Sequence, residues 1–422
     1  MVTANTPSSF SPAPSSVPVS PEDAGCFDRT ASSSPVRPQE TLQQCRVSRI
    51  IQIHPTLRCN LFCKHCYSSS APEKKQGLPS RALVNILEQA APLGYNVVSL
   101  SGGEPFLYSE LEQLVTASRS LGYFNSVTTN GMLLRSQRAG RILRQLDLVA
   151  VSVDGKQEAH DLMRGQQGAF ASMLEGLDVL KDSIEKFGLI HTLLPDSWQI
   201  LSWLTDFALQ HKASLLHLHP LELSGRATEN FGDLRFTPTD LYRVYIAHYY
   251  LKTFAEPELF IQLDLLHRDN IIGNPNFFFH QSGPTSAGAG MQPERGASTV
   301  SDLNAVTGRD SSAHTQSNRS AKNFSSFFKE LIINEAGDIL PIAHGCSDFF
   351  RIGNIQSGIP LEDMISRFME EKLDAIMQLY NDTYRDILGD REYEIFNWSE
   401  MVIEKSREFG ETLIADKMVR TV

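Results

Sequence analysis

The chain is poor in cysteine, in long apolar runs and in positive charge. Its 422 residues contain six cysteines, three of them within eight positions, unlike the short and cysteine-dense chains of secreted disulfide scaffolds. No apolar run approaches the roughly 20 residues that span a bilayer. Residues 1–40 lack the charged and apolar regions of a secretory signal. These absences predict a cytoplasmic protein without a membrane partner.

The charge balance excludes one further class of partner. The formal net charge is −11, whereas proteins that bind nucleic acids need a basic surface to replace the counterions of the phosphates. We therefore expect no nucleic-acid partner. An acidic balance of this size otherwise reports only on solubility.

Two segments have compositions that disfavour a packed core. Residues 1–40 contain nine Ser and seven Pro, and residues 281–322 contain four large aliphatic residues and no aromatic one. The sequence therefore predicts four regions. These are a disordered tail over 1–46, a core domain over 47–280, a disordered insertion over 281–322 and a C-terminal region over 323–422.

In the core domain, short β-branched or apolar runs alternate with stretches of helical periodicity. This alternation predicts an α/β fold with a parallel sheet and right-handed crossovers. The sheet is either a barrel or doubly wound, and in both cases ligands bind beyond the carboxyl ends of the strands. The six predicted strands are 49–54, 96–101, 126–129, 146–153, 189–194 and 214–219.

A cysteine-rich loop directly follows the first predicted strand. Cys59, Cys63 and Cys66 have C-x3-C-x2-C spacing, so their thiols are expected to face one metal centre, and soft thiolates select zinc or iron–sulfur clusters. A structural zinc site needs four ligands, usually as two separated pairs. The remaining cysteines are isolated: Cys26, Cys45 and Cys346. The triplet therefore favours a four-iron cluster with one open iron, with zinc or accidental clustering as the alternatives.

A glycine-rich turn, Gly102-Gly103-Glu104-Pro105, follows the second predicted strand. Glycines allow the backbone to approach a ligand closely, and the turn exposes N–H and C=O groups that can hold an ammonium group. The alternative interpretation is an ordinary turn.

The cysteine triplet after the first strand and the GGEP turn after the second together resemble the radical S-adenosylmethionine (SAM) superfamily, over residues 49–230. The resemblance implies a partial (β/α)6 barrel and a [4Fe–4S] cluster on Cys59, Cys63 and Cys66. It also implies that SAM binds the open iron and the GGEP turn. An electron from the cluster then cleaves SAM to a 5′-deoxyadenosyl radical, which abstracts a hydrogen atom from the substrate. A bulky side chain at Gly103 is expected to block SAM while the cluster loads normally.

The same resemblance suggests further SAM contacts. His65 stands where the family has an aromatic ring near adenine. Ser152, or in second place Asp154, ends the fourth strand, where the family presents polar contacts to the ribose and carboxylate of SAM. Arg164 is a candidate partner of the SAM carboxylate. The alternatives are a simple turn at Asp154 and a solvated or structural arginine at 164.

Four residues are candidates for substrate contact or proton relay. His54 and His219 lie on strands that should line the cavity, and Glu222 and Arg226 follow the sixth strand. For the two histidines, a satisfied structural role is the alternative.

The C-terminal region has a predicted hairpin over 331–341, then Cys346, then two helices over 361–380 and 400–417. It resembles a degenerate form of the cysteine-rich SPASM or twitch extension of peptide-modifying radical SAM enzymes, which implies a small α+β C-terminal extension. Such extensions carry several cysteines for auxiliary clusters. Because only Cys346 stands here, we expect no fully ligated auxiliary cluster.

Residues 52–59, 219–221 and 225–227 resemble cyanobacterial peptide maturases that act on precursors with nitrogenase-related leaders. This resemblance implies modification of a ribosomally made precursor peptide, in some members by excision of tyramine at a Tyr-Gly site. It further implies a small accessory leader-binding protein and a flavodoxin- or ferredoxin-type electron donor. Two alternatives stay open: small-molecule cofactor or nucleoside biosynthesis, and a non-catalytic iron–sulfur or zinc-stabilised binding protein.

Overall fold

A computed structural model describes residues 48–184, 186–273 and 328–419. The tail predicted over 1–46 and the insertion predicted over 281–322 lie outside these described residues, as do Cys26 and Cys45. The described residues belong to one compact unit.

Strands and helices alternate along the first part of the chain, as the sequence pattern predicts. The strands are β1 Ile50–Ile53, β2 Val97–Leu100, β3 Phe124–Thr129, β4 Leu148–Ser152, β5 Phe187–Leu193, β6 Leu215–Pro220, β7 Phe260–Leu263, β8 Leu266–His267, β9 Glu330–Ile333, β10 Asp338–Leu340, β11 Gly353–Asn354 and β12 Ile395–Phe396. The α-helices are α1 Ser80–Ala90, α2 Leu111–Ser120, α3 Gln137–Leu143, α4 Gln157–Arg164, α5 Ala169–Ser183, α6 Leu201–Gln210, α7 Arg226–Phe231, α8 Pro238–Ala255, α9 Arg268–Gly273, α10 Leu361–Gly389 and α11 Trp398–Val419.

Ten of the strands form one sheet in the order β11-β10-β9-β1-β2-β3-β4-β5-β6-β7. The run from β9 through β1 to β7 is parallel throughout, whereas β10 and β11 are antiparallel. The predicted α/β class with a parallel sheet is thus confirmed. A separate two-stranded sheet pairs β12 with β8.

Two strands add to the six that the sequence predicts for the parallel sheet. The strand β7, which is not among the six predicted strands, pairs with β6. The hairpin expected over 331–341 forms as β9 and β10, and β9 lies parallel to β1. The C-terminal strands thereby continue the main sheet beyond β1. No local pattern indicates this pairing, because β1 and β9 are 280 residues apart in sequence.

The two faces of the sheet differ. In β1 to β4, buried residues alternate with half-buried ones, and the buried set packs under the helices. Half of this half-buried set is polar, whereas most parallel sheets carry apolar residues on both faces. We call this side of the sheet the open face; its polar members include Gln52, Ser99, Ser126, Thr128, Ser152, Thr192, His217 and His219. A polar and accessible face in the middle of a parallel sheet indicates room for a ligand.

No helix among the described residues is both long and apolar enough to cross a membrane. The longest helix, α10, extends beyond the predicted 361–380 at its C-terminal end, to Gly389. The next longest, α11, extends beyond the predicted 400–417 at both ends, from Trp398 to Val419. Their packing against the rest of the fold includes the buried side chains of Phe368 and Ile376.

The buried side of α1 provides a stability test. Leu87 is fully buried in the main core, whereas Leu162 on α4 is 64% exposed. We expect Leu87→Ala to lower the free energy of unfolding by about 2–5 kcal/mol, because it removes buried methyl groups and leaves a cavity. Leu162→Ala, measured in the same urea titration, should change it by less than about 0.5 kcal/mol. Equal effects of the two substitutions would contradict this packing.

Candidate metal and cofactor site

The loop that carries the three cysteines begins directly after β1 and folds back on itself. The backbone N–H of Cys59 donates to the carbonyl of Ala71. The N–H of Ser70 donates to Sγ of Cys66 over 3.3 Å, and the Ser68 hydroxyl lies 3.5 Å from the same sulfur. These contacts fix the position of the Cys66 side chain within the loop.

Three other parts of the sheet hold this loop through its backbone. After β2, the N–H of Gly103 donates to the carbonyl of Thr56 and that of Glu104 to the carbonyl of Arg58. After β4, the carbonyl of Met163 accepts from Lys64. After β6, the N–H of Arg226 donates to the carbonyl of Cys66. Four residues therefore hold the cysteine loop by backbone hydrogen bonds: Gly103, Glu104, Met163 and Arg226.

The side chain of Arg226 reinforces the third contact. Its Nε donates to the carbonyl of Cys63 over 2.9 Å and one terminal nitrogen donates to the carbonyl of Ser70 over 2.8 Å. Its guanidinium also lies 3.7 Å from the centre of the Phe62 ring. Arg226 was predicted to contact substrate, but the structure buries it and ties its donors to the cysteine loop.

Glycines make these close approaches possible. A Cβ atom on Gly103 would lie 2.3 Å from the carbonyl oxygen of Arg58, and one on Gly225 would lie 2.4 Å from that of Tyr67. Both distances are far shorter than a van der Waals contact. Gly103 is thus packed against the residue that precedes Cys59, so the GGEP turn supports the cysteine loop directly.

Glu104 is buried and its carboxylate faces β3. It accepts hydrogen bonds from the hydroxyl of Thr129 at 2.8 Å and from the N–H groups of Asn130 and Phe106. Burial raises the pKa of Glu104, while these hydrogen bonds act in the opposite direction. Pro105 is buried and begins a short 3₁₀ turn. Glu104 therefore joins the ends of β2 and β3 next to the loop.

Two of the three thiols, Cys59 and Cys63, are buried. Burial raises the pKa of Cys59 to about 12, to which the negative charges of Glu104 and the neighbouring cysteines also contribute, and burial raises that of Cys63. Thiolates form in such a place only beside positive charge, as a metal centre supplies.

Beside Cys63 lies a buried ion pair between α4 and the end of β4. Nε of Arg164 is 2.6 Å from Oδ2 of Asp154, and another nitrogen of Arg164 donates to Sγ of Cys63 over 3.7 Å. Burial opposes the ionisation of Asp154, but the charges of Arg164 and of nearby histidines hold its pKa at about 2. Nε2 of His65 lies 3.4 Å from the other oxygen of Asp154. Burial lowers the pKa of His65 to about 4, so it is neutral.

The structure thus places Asp154, Arg164 and His65 together next to Cys63, each in contact with another member. Ser152 lies two residues before Asp154, half-buried on the open face at the end of β4. Among the predicted SAM contacts, His65, Asp154 and Arg164 are thus the ones that pair with one another.

On the other side of the loop, His54 contacts Tyr67 and His344. Nε2 of His54 is 3.2 Å from the Tyr67 hydroxyl, which is 3.3 Å from the hydroxyl of Ser101. The His54 and His344 ring centres are 4.8 Å apart, and Nε2 of His344 is 3.6 Å from a Glu335 oxygen. Burial lowers the pKa of His54 to about 3, and its Nδ1 is buried without a hydrogen-bond partner.

The two remaining substrate candidates lie near the end of β6. Nδ1 of His219 is 2.8 Å from Oδ2 of Asp264. One oxygen of Glu222 is buried without a hydrogen-bond partner, and burial raises the pKa of Glu222. A buried carboxyl oxygen with no protein partner is the kind of group that awaits a ligand.

Sequence reasoning missed Tyr67, Glu335, His344, His217 and Asp264. Tyr67 stood next to Cys66 in the motif, and His217 precedes the predicted His219 by two positions, so both could have been found from proximity and strand alternation. Glu335, His344 and Asp264 reach the site only through the pairing of β9 with β1 and of β7 with β6, which no local pattern indicates.

Residues 53–204, which include the cysteine loop, the GGEP turn and Arg164, match the sequence profile of the radical SAM superfamily. This part of the chain is a radical SAM domain. The cofactors of the superfamily are a [4Fe–4S] cluster and SAM, and the three thiols with the glycine-lined turn beside them fit this pair.

Curated relatives of the radical SAM domain have several functions. The chain is 29% identical over 214 residues to Fe-coproporphyrin III synthase of Methanosarcina barkeri, covering 50% of this chain and 53% of the relative. It is 32% identical over 180 residues to pre-heme d1 synthase of Dinoroseobacter shibae, covering 42% and 45%. It is 28% identical over 181 residues to the sporulation killing factor maturation protein SkfB of Bacillus subtilis, covering 42% and 44%. The chain therefore spans about half the length of these relatives.

Among solved structures, native anSMEcpe with bound AdoMet matches 87% of this chain and 98% of its own with a TM-score of 0.53 at 16% identity. The form with AdoMet and the Cp18Cys peptide matches 88% and 99% with a TM-score of 0.52 at 15% identity. At this identity the similarity concerns the fold alone, and it includes the C-terminal strands and helices as well as the radical SAM domain.

The packing of Gly103 changes the expected result of substituting it. A valine at 103 would overlap the backbone before Cys59, and overpacking of this kind costs about 1–3 kcal/mol or more. We expect Gly103→Val to lower iron content together with SAM cleavage, in place of the selective loss of SAM binding expected from the sequence. Iron analysis and chromatographic detection of 5′-deoxyadenosine after reconstitution measure both.

Gly140→Val is the matched control, because a Cβ atom at position 140 meets nothing within 4 Å. It should keep both iron and SAM cleavage near the wild-type level. Full iron loading in Gly103→Val would show that the turn does not support the cysteine loop.

Proposed function

We propose that this protein is a radical SAM enzyme that modifies a ribosomally made precursor peptide. The observation that carries the radical chemistry is a loop of three thiols, two of them buried, that is held at the carboxyl ends of parallel strands within a domain that matches the superfamily. We further infer that the sheet from β1 to β6 is the partial (β/α)6 barrel of this superfamily, with the open face as its interior.

Cys59, Cys63 and Cys66 would hold the [4Fe–4S] cluster. When bound, the cluster supplies the electron that cleaves SAM to methionine and a 5′-deoxyadenosyl radical. The chain positions the thiols through Gly103, Met163 and Arg226 and buries the side chains of Cys59 and Cys63. Arg164 contributes a positive charge at Cys63 that favours the thiolate.

Gly102 to Pro105 and Ser152 would contact SAM. Gly102 has a positive φ of 97° and leaves the backbone of the turn open to a close approach. Ser152 offers a hydroxyl on the open face. We infer that His65, Asp154 and Arg164 act mainly on the cysteine loop, and that Arg164 reaches a SAM carboxylate only by keeping its pairing with Asp154.

The substrate assignment is supported by the open face and by the relatives. Hydroxyl and amide side chains such as Gln52, Ser99, Ser126 and Thr128 can hydrogen-bond a peptide backbone along its length. SkfB is a peptide maturation protein by name, and a structure with the same fold holds a peptide. Excision of tyramine at a Tyr-Gly site is the specific modification that we propose to test.

Haem-related synthesis is the second candidate, because two of the relatives above act in that chemistry. Coproporphyrin carries several carboxylates and would need arginines or lysines facing it. The described residues around the open face instead place carboxyl groups there, namely Asp264, Glu222 and Glu330. Burial and the charge of Asp264 raise the pKa of Glu330 to about 7. Repulsion between these carboxyl groups and a polycarboxylate favours a peptide, and the positive charge that partly offsets it comes from His219 and from Arg407 beside Glu222.

Three further parts of the proposal concern partners and the C-terminal region. A flavodoxin- or ferredoxin-type protein would reduce the cluster, and a small accessory protein would bind the leader of the precursor. Among the described residues of the C-terminal region, Cys346 is the one cysteine, and it packs with Ile332 and Leu340. We therefore propose that the SPASM-like region is degenerate and holds no auxiliary cluster.

Iron content tests the cluster assignment. Anaerobically reconstituted wild-type protein should bind about four irons with broad visible absorption. The variant with Cys59, Cys63 and Cys66 all changed to Ala should bind almost no cluster iron, because Cys346 is the one other cysteine among the described residues. Cys346→Ala is the control and should keep the wild-type iron content.

Two results would count against the assignment. If zinc copurifies in equal amount to the protein and iron cannot be loaded, the three cysteines form a zinc site and not a cluster site. About four irons retained in the triple variant, the load of one whole cluster, would reveal an auxiliary cluster.

Deuterium transfer tests the peptide as substrate. A synthetic precursor with a nitrogenase-related leader and a deuterated Tyr-Gly site is incubated with reduced holoenzyme and SAM. If the radical abstracts hydrogen from the peptide, mass spectrometry should find deuterium in 5′-deoxyadenosine and loss of a tyramine unit from the peptide. Turnover should be weak with the enzyme alone and increase when the accessory leader-binding protein is added.

Different results would refute different parts of the peptide proposal. Rapid modification without any second protein would refute the accessory partner only. Cleavage of SAM without deuterium transfer from this peptide would refute the tyramine assignment. Deuterium transfer from a porphyrin substrate instead would favour the second candidate.

A further inference from the structure

A second cluster of metal-ligating side chains lies on the open face, outside the cysteine loop. His217 and His219 are two residues apart on β6, so their side chains point to the same face of the sheet. Asp264 directly follows β7, the neighbouring strand, and its backbone N–H donates to the carbonyl of Leu218. Strand pairing therefore places Asp264 level with the two histidines.

Both imidazoles converge on one carboxylate oxygen. Nε2 of His217 lies 2.6 Å and Nδ1 of His219 lies 2.8 Å from Oδ2 of Asp264. The three ligand atoms all lie within 4.8 Å of one another. Zinc binds nitrogen and oxygen ligands at about 2.0–2.2 Å, which places those ligands roughly 3.0–3.5 Å apart. An ion could enter once it replaces the hydrogen-bonding protons between these atoms and the side chains move slightly apart.

The surroundings resemble those of a ligand set that is already oriented. Nε2 of Gln262 donates to Oδ1 of Asp264 over 3.1 Å, which leaves Oδ2 to the histidines. The side chains of His217, His219 and Asp264 keep 24%, 38% and 28% of their surface accessible, so an ion in solution can reach them. Glu330 on β9 is close enough to interact electrostatically with Asp264 and adds a second negative charge.

We propose that His217, His219 and Asp264 bind one divalent transition-metal ion of the zinc class, separate from the iron–sulfur cluster. Two imidazoles and one carboxylate suit such ions better than they suit Mg²⁺ or Ca²⁺, which prefer oxygen ligands. Three protein ligands leave a coordination position open to the cavity. An ion there can bind and polarise a carbonyl or carboxylate oxygen of whatever substrate lies on the open face. The site does not depend on the substrate proposed above.

The other convergent set, His54 with Glu335 and His344, is less suited to a separate ion. Nε2 of His54 already contacts Gln52 and Tyr67, and Glu335 is 3.6 Å from His344. Through Tyr67 this set adjoins Cys66 and belongs to the site of the cysteine loop.

Zinc binding to the cluster-reconstituted full-length protein tests the assignment. After removal of loosely bound metal, the protein is dialysed against chelator-buffered Zn²⁺, and zinc and iron are both measured by mass spectrometry. Wild type should bind one zinc per chain, and His217→Gln/His219→Gln should bind none at the same free Zn²⁺ with its iron content unchanged. His211→Gln, a histidine at the end of α6 outside the open face, and His344→Gln should both keep the zinc.

A milder variant keeps the test decisive if the double variant folds poorly. Gln262→Ala removes the hydrogen bond to Asp264 from an exposed position, and it should weaken zinc binding about 10-fold or more, as loss of an outer-shell partner does. Absence of zinc in wild type would show that the three side chains only hydrogen-bond to one another. Zinc retained in the double variant, zinc lost in His344→Gln, or unchanged affinity in Gln262→Ala would likewise overturn the proposal.

Discussion

The candidate site depends on backbone hydrogen bonds that hold the cysteine loop from three different parts of the fold. Gly103 after β2, Met163 before the end of α4 and Arg226 after β6 each exchange a backbone hydrogen bond with the loop. Because Gly103 and Gly225 carry no Cβ, strand-to-helix turns can lie directly on the loop backbone. Backbone contacts that come after β2, from α4 and after β6 therefore fix the directions of the three thiols.

Burial of the cysteine loop disfavours thiolates, and charged side chains beside the loop act on this balance. Cys59 and Cys63 are buried thiols with raised pKa values, so their thiolate forms need the positive charge that a metal centre adds when it binds. Arg164 supplies the one buried guanidinium in contact with a cysteine sulfur among the described residues, and Asp154 and the neutral His65 hold it there. The polar residues nearest the loop thus act first on the charge of its thiols, and contact with a ligand is secondary.

The C-terminal region shapes the other side of the site. Pairing of β9 with β1 brings the turn with Glu335 and the segment with His344 against His54 and Tyr67. The same pairing places Glu330 where it interacts with Asp264 across the open face. A region that the sequence marks mainly by its missing cysteines therefore contributes acid and imidazole groups to the cavity.

The sequence by itself determined the α/β class, the six strands β1 to β6 and the cysteine and glycine motifs, because each depends on residues close together in the chain. Periodicity does not determine which strands become neighbours, so β9 beside β1 and β7 beside β6 were decided by tertiary structure alone. Those pairings bring His344, Glu335 and Asp264 to the site. The environment of Arg226 and Glu104 was likewise decided by packing, since both side chains are buried and hydrogen-bonded beside the cysteine loop.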